Sequence, residues 1–311
     1  GKKITISGST STVQASNFTF GGASTALTMG SGTFYRISGS GVKPDAGGLY
    51  TLNSGSKIEF YGSNPIEIRV GATHNYGRID VNGTNVSNNS ATTGISFVAP
   101  ASIFTVKNGA TFKFKNTNGF TGGSATAINN SQGVNPILET NSTVEYSGAN
   151  QTVTPYEIST NNSYKKVAVS GTGVKTVSSD VLIGDNLTVT SSLLTVQSNK
   201  NLTVTNGITT VNTDATNGVF IENSGSLLQT NTLSTINTGN IKVQRITPPV
   251  YRYDFTYWSS PVKDFTLLSL SPNTFFDKYY SWDGNNGTWT TINFGAEVMA
   301  PGKGYSVRAP Q

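Results

Sequence analysis

The chain has 311 residues, of which only 12% are charged, and its formal net charge at neutral pH is +5. Soluble domains usually carry about 25% charged residues, whereas disordered chains combine few aromatic residues with high net charge. The aromatic content of 10% therefore argues against disorder. The 112 Ser, Thr and Asn residues and the 34 Gly residues argue against helix, because they favour strands, turns and caps. The composition indicates an all-β protein with a polar surface.

Several classes of site are excluded by residue counts. Cysteine is absent, which rules out disulfides, thiolate metal sites and cysteine nucleophiles. His74 is the single histidine, and its turn-like surroundings (71–77) favour a polar loop residue over a general base. The 21 cations form no block longer than two residues, so we expect no nucleic-acid partner. No apolar run reaches the roughly 18 residues of a membrane-spanning helix, so we expect no transmembrane segment.

In the first part of the chain, short runs alternate apolar with polar residues, and Gly, Asn and Ser separate them. This period-two alternation predicts half-buried strands joined by turns. The clearest runs are residues 57–60, 66–70, 78–81, 111–114 and 186–189.

A looser internal repeat accompanies these strands. An apolar residue ends one strand, a small polar corner follows, and the next inward residue lies six positions later. The copies begin at Leu52, Val106, Leu138 and Ile221. Small residues and Asn adopt the backbone conformations of a tight corner, so the template predicts strand–corner–strand units. Glu59, Lys113 and Glu145 each stand between two inward-facing residues of their own strand. Alternation therefore predicts that their side chains face solvent.

Such units are typical of a β-solenoid, in which each coil buries its apolar face by stacking on its neighbours. The copies of the template start at irregular intervals along the chain, so an array of β-sandwiches stays open as an alternative.

Aromatic residues divide the chain into two parts. Residues 244–311 contain 14 of the 31 Phe, Tyr and Trp residues, including all three Trp. The change coincides with Pro248-Pro249, a stiff dipeptide that disfavours continued regular structure. We therefore predict a solenoid repeat domain over residues 1–243 and an aromatic-rich, β-sandwich-like domain over residues 244–311.

One stretch of the repeat domain resembles a known type of bacterial sequence. It comprises Thr143-Val-Glu-Tyr-Ser-Gly-Ala-Asn-Gln-Thr-Val-Thr-Pro155, its continuation (164–177) and Gly184-Asp-Asn-Leu-Thr-Val189. These residues resemble right-handed β-helix segments of large surface proteins from Bacteroidetes-type bacteria. The resemblance implies an all-β fold with a right-handed parallel β-helix followed by a small antiparallel β-domain.

A second resemblance lies in the aromatic-rich part. Tyr257-Trp-Ser-Ser-Pro-Val262, the region of Trp282 and Met299-Ala-Pro-Gly-Lys-Gly-Tyr305 are similar to a β-domain of proteins exported by type IX secretion. In those proteins the domain often lies between a repeat region and a C-terminal sorting domain. The resemblance implies an extracellular or cell-surface location and contact with the secretion machinery.

The acids of residues 1–243 show no catalytic pattern in sequence. Glycosidases need two carboxylates at a set separation, and polysaccharide lyases need clustered acids and a base. The closest pair, Asp180 and Asp185, is expected to consist of solvated turn residues, although acids from different coils can still meet in space. The eleven acids are Asp45, Glu59, Glu67, Asp80, Glu139, Glu145, Glu157, Asp180, Asp185, Asp214 and Glu222.

The most site-like segment is Trp282-Asp-Gly-Asn-Asn-Gly-Thr-Trp289. Its Asn-Gly pair predicts a hairpin turn with the two tryptophans facing each other across it. Asp283 and Asn285 also resemble the start of a calcium loop, but Phe294 stands where such a loop carries its bidentate Glu. We therefore expect no required cofactor and only incidental calcium at these two residues.

Aromatic side chains of the second part form the other candidate site. Flat rings bury the CH faces of sugars well, which makes Tyr257, Trp258, Trp282 and Trp289 candidate glycan-binding residues. A small domain also needs large side chains for its own core, so most of its aromatic residues are expected to be buried.

Together these expectations favour a non-enzymatic, structural or adhesin-like protein of the bacterial surface, with a rigid β-helical stalk or scaffold exported by type IX secretion. Its expected partners are surface glycans or neighbouring cell-surface proteins, besides the secretion machinery. The alternatives are a carbohydrate-binding module and a polysaccharide lyase or hydrolase on a β-helix. An exposed planar row of Tyr and Trp favours the binding module, whereas two acids within about 10 Å in a groove favour the enzyme.

Overall fold

The computed structural model describes residues 2–8, 10–15, 21–98, 102–123, 125–129, 131, 133–134, 136–156, 163–210, 217–233 and 236–310. These residues are almost entirely β, with about 3% helix. Their helices are all too short or too polar to span a membrane. The chain forms two compact units, Gly1–Lys242 and Val243–Gln311, while the composition places the domain boundary after residue 243.

The first unit is a parallel β-solenoid of about nine coils. Its strands, in chain order, are β1 (Lys3–Ile6), β2 (Thr12–Ala15), β3 (Ala26–Met29), β4 (Phe34–Ile37), β5 (Gly41–Lys43), β6 (Tyr50–Leu52), β7 (Lys57–Gly62), β8 (Ile66–Ile68), β9 (Asn75–Tyr76), β10 (Arg78–Gly83), β11 (Val86–Asn88), β12 (Ser96–Phe97), β13 (Ile103–Val106), β14 (Thr111–Phe114), β15 (Thr121–Gly122), β16 (Ile128–Asn129), β17 (Ile137–Leu138), β18 (Thr143–Tyr146), β19 (Gln151–Val153), β20 (Lys166–Val169), β21 (Val174–Val177), β22 (Val181–Ile183), β23 (Leu187–Val189), β24 (Leu193–Val196), β25 (Asn201–Val204), β26 (Ile208–Thr210), β27 (Gly218–Ile221), β28 (Ser226–Gln229) and β29 (Ile241–Val243).

Strands from successive coils pair in register and build long parallel sheets. The two longest have the orders β2-β4-β7-β10-β13-β17 and β5-β8-β11-β14-β18-β20-β23-β26. Shorter sheets have the orders β1-β3-β6, β9-β12, β15-β16, β19-β21-β24-β27-β29 and β22-β25-β28. Coil length varies along the solenoid. For example, the coil that leads from Ile58 to its partner Ile79 has fewer residues than the coil that leads from Val106 to its partner Leu138. The predicted solenoid is therefore confirmed, and its variable coil length explains the irregular repeat.

The template copies are strand–corner–strand units, as predicted. Leu52 ends β6 and Val106 ends β13, and a turn leads from each into the next strand. The copies occupy different corners, however, because β7 belongs to the sheet that contains β2 and β17, while β14 and β18 belong to the sheet that contains β5 and β26. Similar corner chemistry thus recurs at positions that are not equivalent in the coil.

Aligned rows of apolar side chains fill the solenoid. Ile58, Ile79 and Phe104 hold equivalent positions in β7, β10 and β13, and all three are buried. Each coil completes its burial only when the next coil covers it, so the rows share one interior. Contacts with ring centroids 4.6–6.5 Å apart link Phe104, Phe112, Phe114, Phe120, Tyr146, Tyr156 and Tyr164 into one aromatic cluster.

The second unit is built on an antiparallel sheet. Its elements are β30 (Phe255–Trp258), the short helix α1 (Leu267–Leu270), β31 (Tyr279–Asp283), β32 (Thr288–Thr291), a 3-10 turn (Asn293–Gly295) and β33 (Tyr305–Arg308). The strand order is β30-β33-β31-β32. One face of the sheet contributes Tyr279, Tyr305 and Val307 to a buried cluster with Leu267 and Met299. The opposite face carries the candidate site.

Candidate functional site

The sheet of the second unit brings three of the candidate aromatic residues together. Trp282 of β31 and Trp289 of β32 are direct cross-strand partners, and their ring centroids are 5.1 Å apart. The ring centroid of Tyr257 from β30 lies 6.0 Å from that of Trp289. The exposed fractions are 73% for Tyr257, 39% for Trp282 and 43% for Trp289. The predicted cross-strand tryptophan pair is confirmed, and the three rings form one accessible cluster.

Small residues on and beside β33 explain how side chains from the two edge strands meet. Tyr257 and Trp289 are separated by β33 and β31 in the sheet. Ser306 is the cross-strand partner of Tyr257, and the carbonyl oxygen of Gly304 accepts a hydrogen bond from the backbone nitrogen of Trp282 at 3.0 Å. Ser306 and Gly304 leave the space above the sheet open, so the rings lean across it. The interplanar angles of 39° and 57° make the cluster a tilted row rather than a planar one.

More aromatic surface continues along the same face. Residues that pair across antiparallel strands share a face, and so do alternate residues of one strand. Phe255 and Tyr280 therefore lie beside the cluster, with ring centroids 5.9 Å apart. The strand positions of this face are Phe255, Tyr257, Tyr280, Trp282, Trp289, Thr291, Ser306 and Arg308, and none of them is aliphatic. Aromatic rings thus provide all of the large apolar side chains at these positions.

Trp258 lies away from this cluster. It follows Tyr257 directly in β30, so its side chain lies on the opposite face, where it packs against the buried cluster that contains Leu267. Its indole nitrogen donates a hydrogen bond to the hydroxyl oxygen of Thr256 at 2.7 Å. The structure therefore places Trp258 with the core and only the other three candidates at the surface.

Asp283 and Asn285 lie at the turn that joins β31 to β32. The Asp283 carboxylate accepts hydrogen bonds from the backbone nitrogens of Asn285 and Asn286 at 2.9 and 3.2 Å, and from the Asn286 side-chain amide at 2.7 Å. These bonds, the side-chain amide first, lower the pKa of Asp283. The carboxylate thus closes an Asx turn, which accounts for the Asp-x-Asn pattern without a metal. Incidental calcium stays a prediction; the described residues include no group of three or more His, Asp or Glu placed to hold a metal ion.

Two acids of neighbouring coils meet on the outer face of the solenoid. Glu59 of β7 is in register with Asp80 of β10, which places the backbones of the two residues about 4.8 Å apart along the stack of coils. The Arg36 Nε atom lies 2.5 Å from the Glu59 carboxylate, and Asp80 lies 3.3 Å from Lys57 Nζ and 3.8 Å from Lys107 Nζ. Contrary to the expectation that Glu59 faces solvent, it is only 7% exposed, because side chains of adjacent coils cover it. The pair belongs to an ion-paired ladder, whereas a glycosidase places one protonated acid beside an open groove.

Asp180 and Asp185 lie at opposite ends of β22. The carboxylate of Asp180 accepts a hydrogen bond from the backbone nitrogen of Asn201 at 2.9 Å, and that of Asp185 accepts one from the side-chain amide of Asn206 at 3.1 Å. Each acid therefore joins its own corner to the next coil, and the two do not converge. Glu157 and Asp214 lie outside the described residues.

His74 has a packing role. Its ring lies edge-on to that of Tyr50, with centroids 4.7 Å apart, and its Nε2 atom is 3.3 Å from the carbonyl oxygen of Gly47. Burial lowers the pKa of His74 below its ordinary value. His74 is therefore a half-buried polar loop residue, and the prediction from its turn-like surroundings is confirmed.

One buried cation has no counterpart in the sequence analysis. Lys175 of β21 is fully buried, and its ammonium donates hydrogen bonds to the carbonyl oxygens of Gly148, Ala149 and Thr172 at 2.7, 2.9 and 2.7 Å. Burial lowers the pKa of Lys175 to about 8. Lys175 shares the inward-facing side of β21 with Val177, so alternation is the signal that would have located it.

These features define the class of the protein: a parallel β-solenoid followed in sequence by an antiparallel β-unit with an exposed aromatic face. Residues 149–311 match the family described as Domain of unknown function (DUF8693). The match covers more than half of the chain, and the chain therefore belongs to this family. It begins between β18 and β19, so the family region includes later solenoid coils as well as the second unit. No curated protein and no solved structure matches the chain.

Proposed function

We propose that this chain is a non-enzymatic extracellular protein whose second unit binds carbohydrate through Tyr257, Trp282 and Trp289, while the solenoid acts as a scaffold. The observation that carries the proposal is the exposed cluster of these three rings. Exposed apolar patches mark binding sites, since isolated domains otherwise bury such area.

The make-up of the face favours sugar over protein. Sugar rings present flat CH surfaces that stack on aromatic side chains, and their hydroxyl groups need polar neighbours. Here the rings are flanked by the exposed Thr291 and the polar turn at Asp283, and no aliphatic residue occupies a strand position of the face. A protein-docking surface gains most from a contiguous, desolvated apolar core, and a face mixed with small polar groups suits a glycan better.

The scaffold role rests on the solenoid. Its interior is a continuous apolar stack, and its outer acids at Glu59 and Asp80 are engaged with cations. Such carboxylates support the folded state and are not arranged as an acid and a base. This arrangement supports the non-enzymatic part of the proposal.

The cellular setting is inferred from resemblance. Residues 143–189 resemble β-helix segments of large bacterial surface proteins, and residues 257–305 resemble a β-domain of type IX-secreted proteins. We infer an adhesin-like role at a bacterial surface with export by that route. Surface glycans are the proposed partners of the aromatic face.

Glycan-array binding followed by calorimetry tests the proposal. We expect Trp282→Ala and Trp289→Ala each to weaken binding roughly tenfold or more, since about 1.4 kcal/mol of lost stacking is tenfold in affinity. Tyr251→Ala is the matched control, because this tyrosine is exposed and lies outside the strands of the face. Failure of the wild-type protein to bind any glycan, or unchanged binding by both tryptophan variants, would refute the proposal.

A further inference from the structure

We propose that the glycan bound by the aromatic face is acidic and that Arg308 holds its carboxylate or sulfate group. This inference rests on the proposed function, because it specifies the charge of the ligand for the same face. It is carried by the position of Arg308 and by the way in which its side chain is held.

Arg308 lies on the aromatic face. It is the cross-strand partner of Phe255, just as Ser306 is the partner of Tyr257, so its side chain lies on the same side of the sheet. Trp282 lies beside Gly304, and Arg308 follows Gly304 by four positions. Four positions span about 13 Å in an extended strand, so Arg308 is about that far along the strand from the tryptophan pair. A ligand that contacts both the tryptophan pair and Arg308 must therefore be an extended chain of several sugars.

Aromatic rings hold the guanidinium group. Its central carbon lies 5.6 Å from the ring centroid of Tyr253 and 5.3 Å from that of Phe275. Both rings are themselves exposed, by 67% and 48% respectively. Cation–π contacts of this kind hold the guanidinium beside the two rings without neutralising its charge.

No carboxylate forms an ion pair with the guanidinium of Arg308 within the described part of the second unit. The ion pairs there include Lys278–Asp277 and Lys303–Glu297, each at 2.6 Å. The hydrogen bond from Lys278 is the main cause that lowers the pKa of Asp277, and the charge of Arg308 contributes least to that shift. The Nε atom of Arg308 is buried and has no hydrogen-bond partner among the described residues. This environment contrasts with that of Lys175, whose ammonium donates to three carbonyl oxygens.

A guanidinium held in this way suits an oxyanion. Its planar array of N–H donors matches the two oxygens of a carboxylate or of a sulfate ester, and bidentate contacts of this type are among the strongest hydrogen bonds. Because the two rings already orient the side chain, binding loses less conformational freedom than with a mobile arginine. The rings of Tyr253 and Phe275 also offer stacking surface to the sugar that bears the charge.

Three oligosaccharides with the same backbone distinguish the possibilities: one uncharged, one with uronic acids and one with sulfate esters. We expect the wild-type protein to bind at least one charged ligand roughly tenfold or more tightly than the uncharged one, because charge-assisted bonds exceed neutral ones. This preference should fall as ionic strength rises. The stronger of the two charged ligands identifies the oxyanion.

Variants of Arg308 complete the test. Arg308→Gln should remove the preference for charge, and Arg308→Lys should retain part of it, since lysine keeps the charge but not the planar fork. Lys263→Gln is the matched control, because this lysine is an exposed cation outside the strands of the face. Tryptophan fluorescence verifies that each variant is folded, as all three tryptophans lie in the second unit.

The outcomes separate this inference from the proposed function. Equal affinity for charged and uncharged ligands, with binding still lost in Trp282→Ala, would overturn the acidic-ligand inference alone. An unchanged charge preference in Arg308→Gln would overturn the assignment of Arg308. The absence of binding to all three ligands would overturn both proposals.

Discussion

Lys175→Met is expected to destabilise the solenoid in a pH-dependent way. The ammonium of Lys175 is fully buried and donates to three main-chain carbonyl oxygens, those of Gly148, Ala149 and Thr172. Methionine has a similar length but no donor. Gly148 keeps a second donor, the backbone nitrogen of Thr172 at 3.3 Å, so two carbonyl groups lose the hydrogen bond that Lys175 supplied.

The expected change in the free energy of unfolding at neutral pH is the difference between two contributions, the lost hydrogen bonds and the removed buried charge. An unsatisfied buried carbonyl costs about 2 kcal/mol, so two of them cost about 4 kcal/mol. Burial lowers the pKa of Lys175 from 10.5 to about 8, and removing the buried charge returns about 3.5 kcal/mol, since one pKa unit corresponds to about 1.4 kcal/mol. We therefore expect the variant to be less stable than the wild type by about 0.5 kcal/mol near pH 7.

The pH dependence has a definite sign. Between pH 8 and pH 10.5 the unfolded chain retains the lysine proton while the folded protein loses it, so the stability of the wild type rises with pH. From pH 7 to about pH 9.5 the gain is about 2 kcal/mol, because about 1.5 pKa units are traversed. The methionine variant lacks this gain, and the stability difference between the two proteins should widen from about 0.5 to about 2.5 kcal/mol.

Urea unfolding at both pH values measures this gap. Far-ultraviolet circular dichroism is the suitable signal, because all three tryptophans lie in the second unit and do not report on the solenoid. Lys115→Met is the control, since this lysine is exposed and its substitution should change stability by no more than about 0.5 kcal/mol at either pH. A gap that stays constant or narrows as the pH rises would show that burial does not lower the pKa of Lys175.

Two further predictions concern the solenoid core. Burial raises the pKa of Tyr146 and of Tyr156 to about 12, so their contribution to stability is complete below about pH 10 and is lost as the pH rises through about 12. A circular-dichroism titration should show cooperative unfolding in that window, and a solenoid that stays folded beyond it contradicts the reasoning. Phe112→Ala should cost about 3–5 kcal/mol in urea unfolding, because the ring is fully buried 4.9 Å from that of Phe104. Phe220→Ala is its control, because Phe220 is only half-buried, and equal losses in both variants would disprove the packing argument.

Alternation and corner chemistry favoured the solenoid over the alternative, an array of β-sandwiches. Runs such as 57–60 and 111–114 lie in β7 and β14, where their apolar residues are buried. Both signals are local, and local signals do not depend on which coils become neighbours. The fold class was therefore available from the sequence alone.

Contacts between side chains of different coils could not be predicted from the sequence in the same way. The partner of Glu59 depends on coil length, and this length differs from one coil to the next, so the register of Glu59 with Asp80 could not be derived from spacing. Lys175 gave conflicting signals, because its position alternates with buried residues while its side chain is of a type that is usually exposed. Only the three-dimensional arrangement shows which signal prevails.

The candidate aromatic site was predicted in part. The tryptophan pair followed from the hairpin turn, and the alternation rule separates Tyr257 from Trp258, since adjacent strand residues face opposite sides. Arg308 was missed because its partners, Tyr253 and Phe275, are distant in sequence and lie outside the strands.

The unequal coil lengths have a consequence for how such a molecule can change. In the coil between Val106 and Leu138, the added residues include β15 and β16, which pair with each other, while the buried rows on either side stay aligned. Phe120 and Ile128 of this coil are themselves buried, so insertions can enter at the bend only beside the exposed Gly123 that lies between them, where they leave the stacked side chains unaltered. A lineage carrying this fold can diversify its outline while its interior is preserved, and the same bend is a suitable place to graft a foreign peptide.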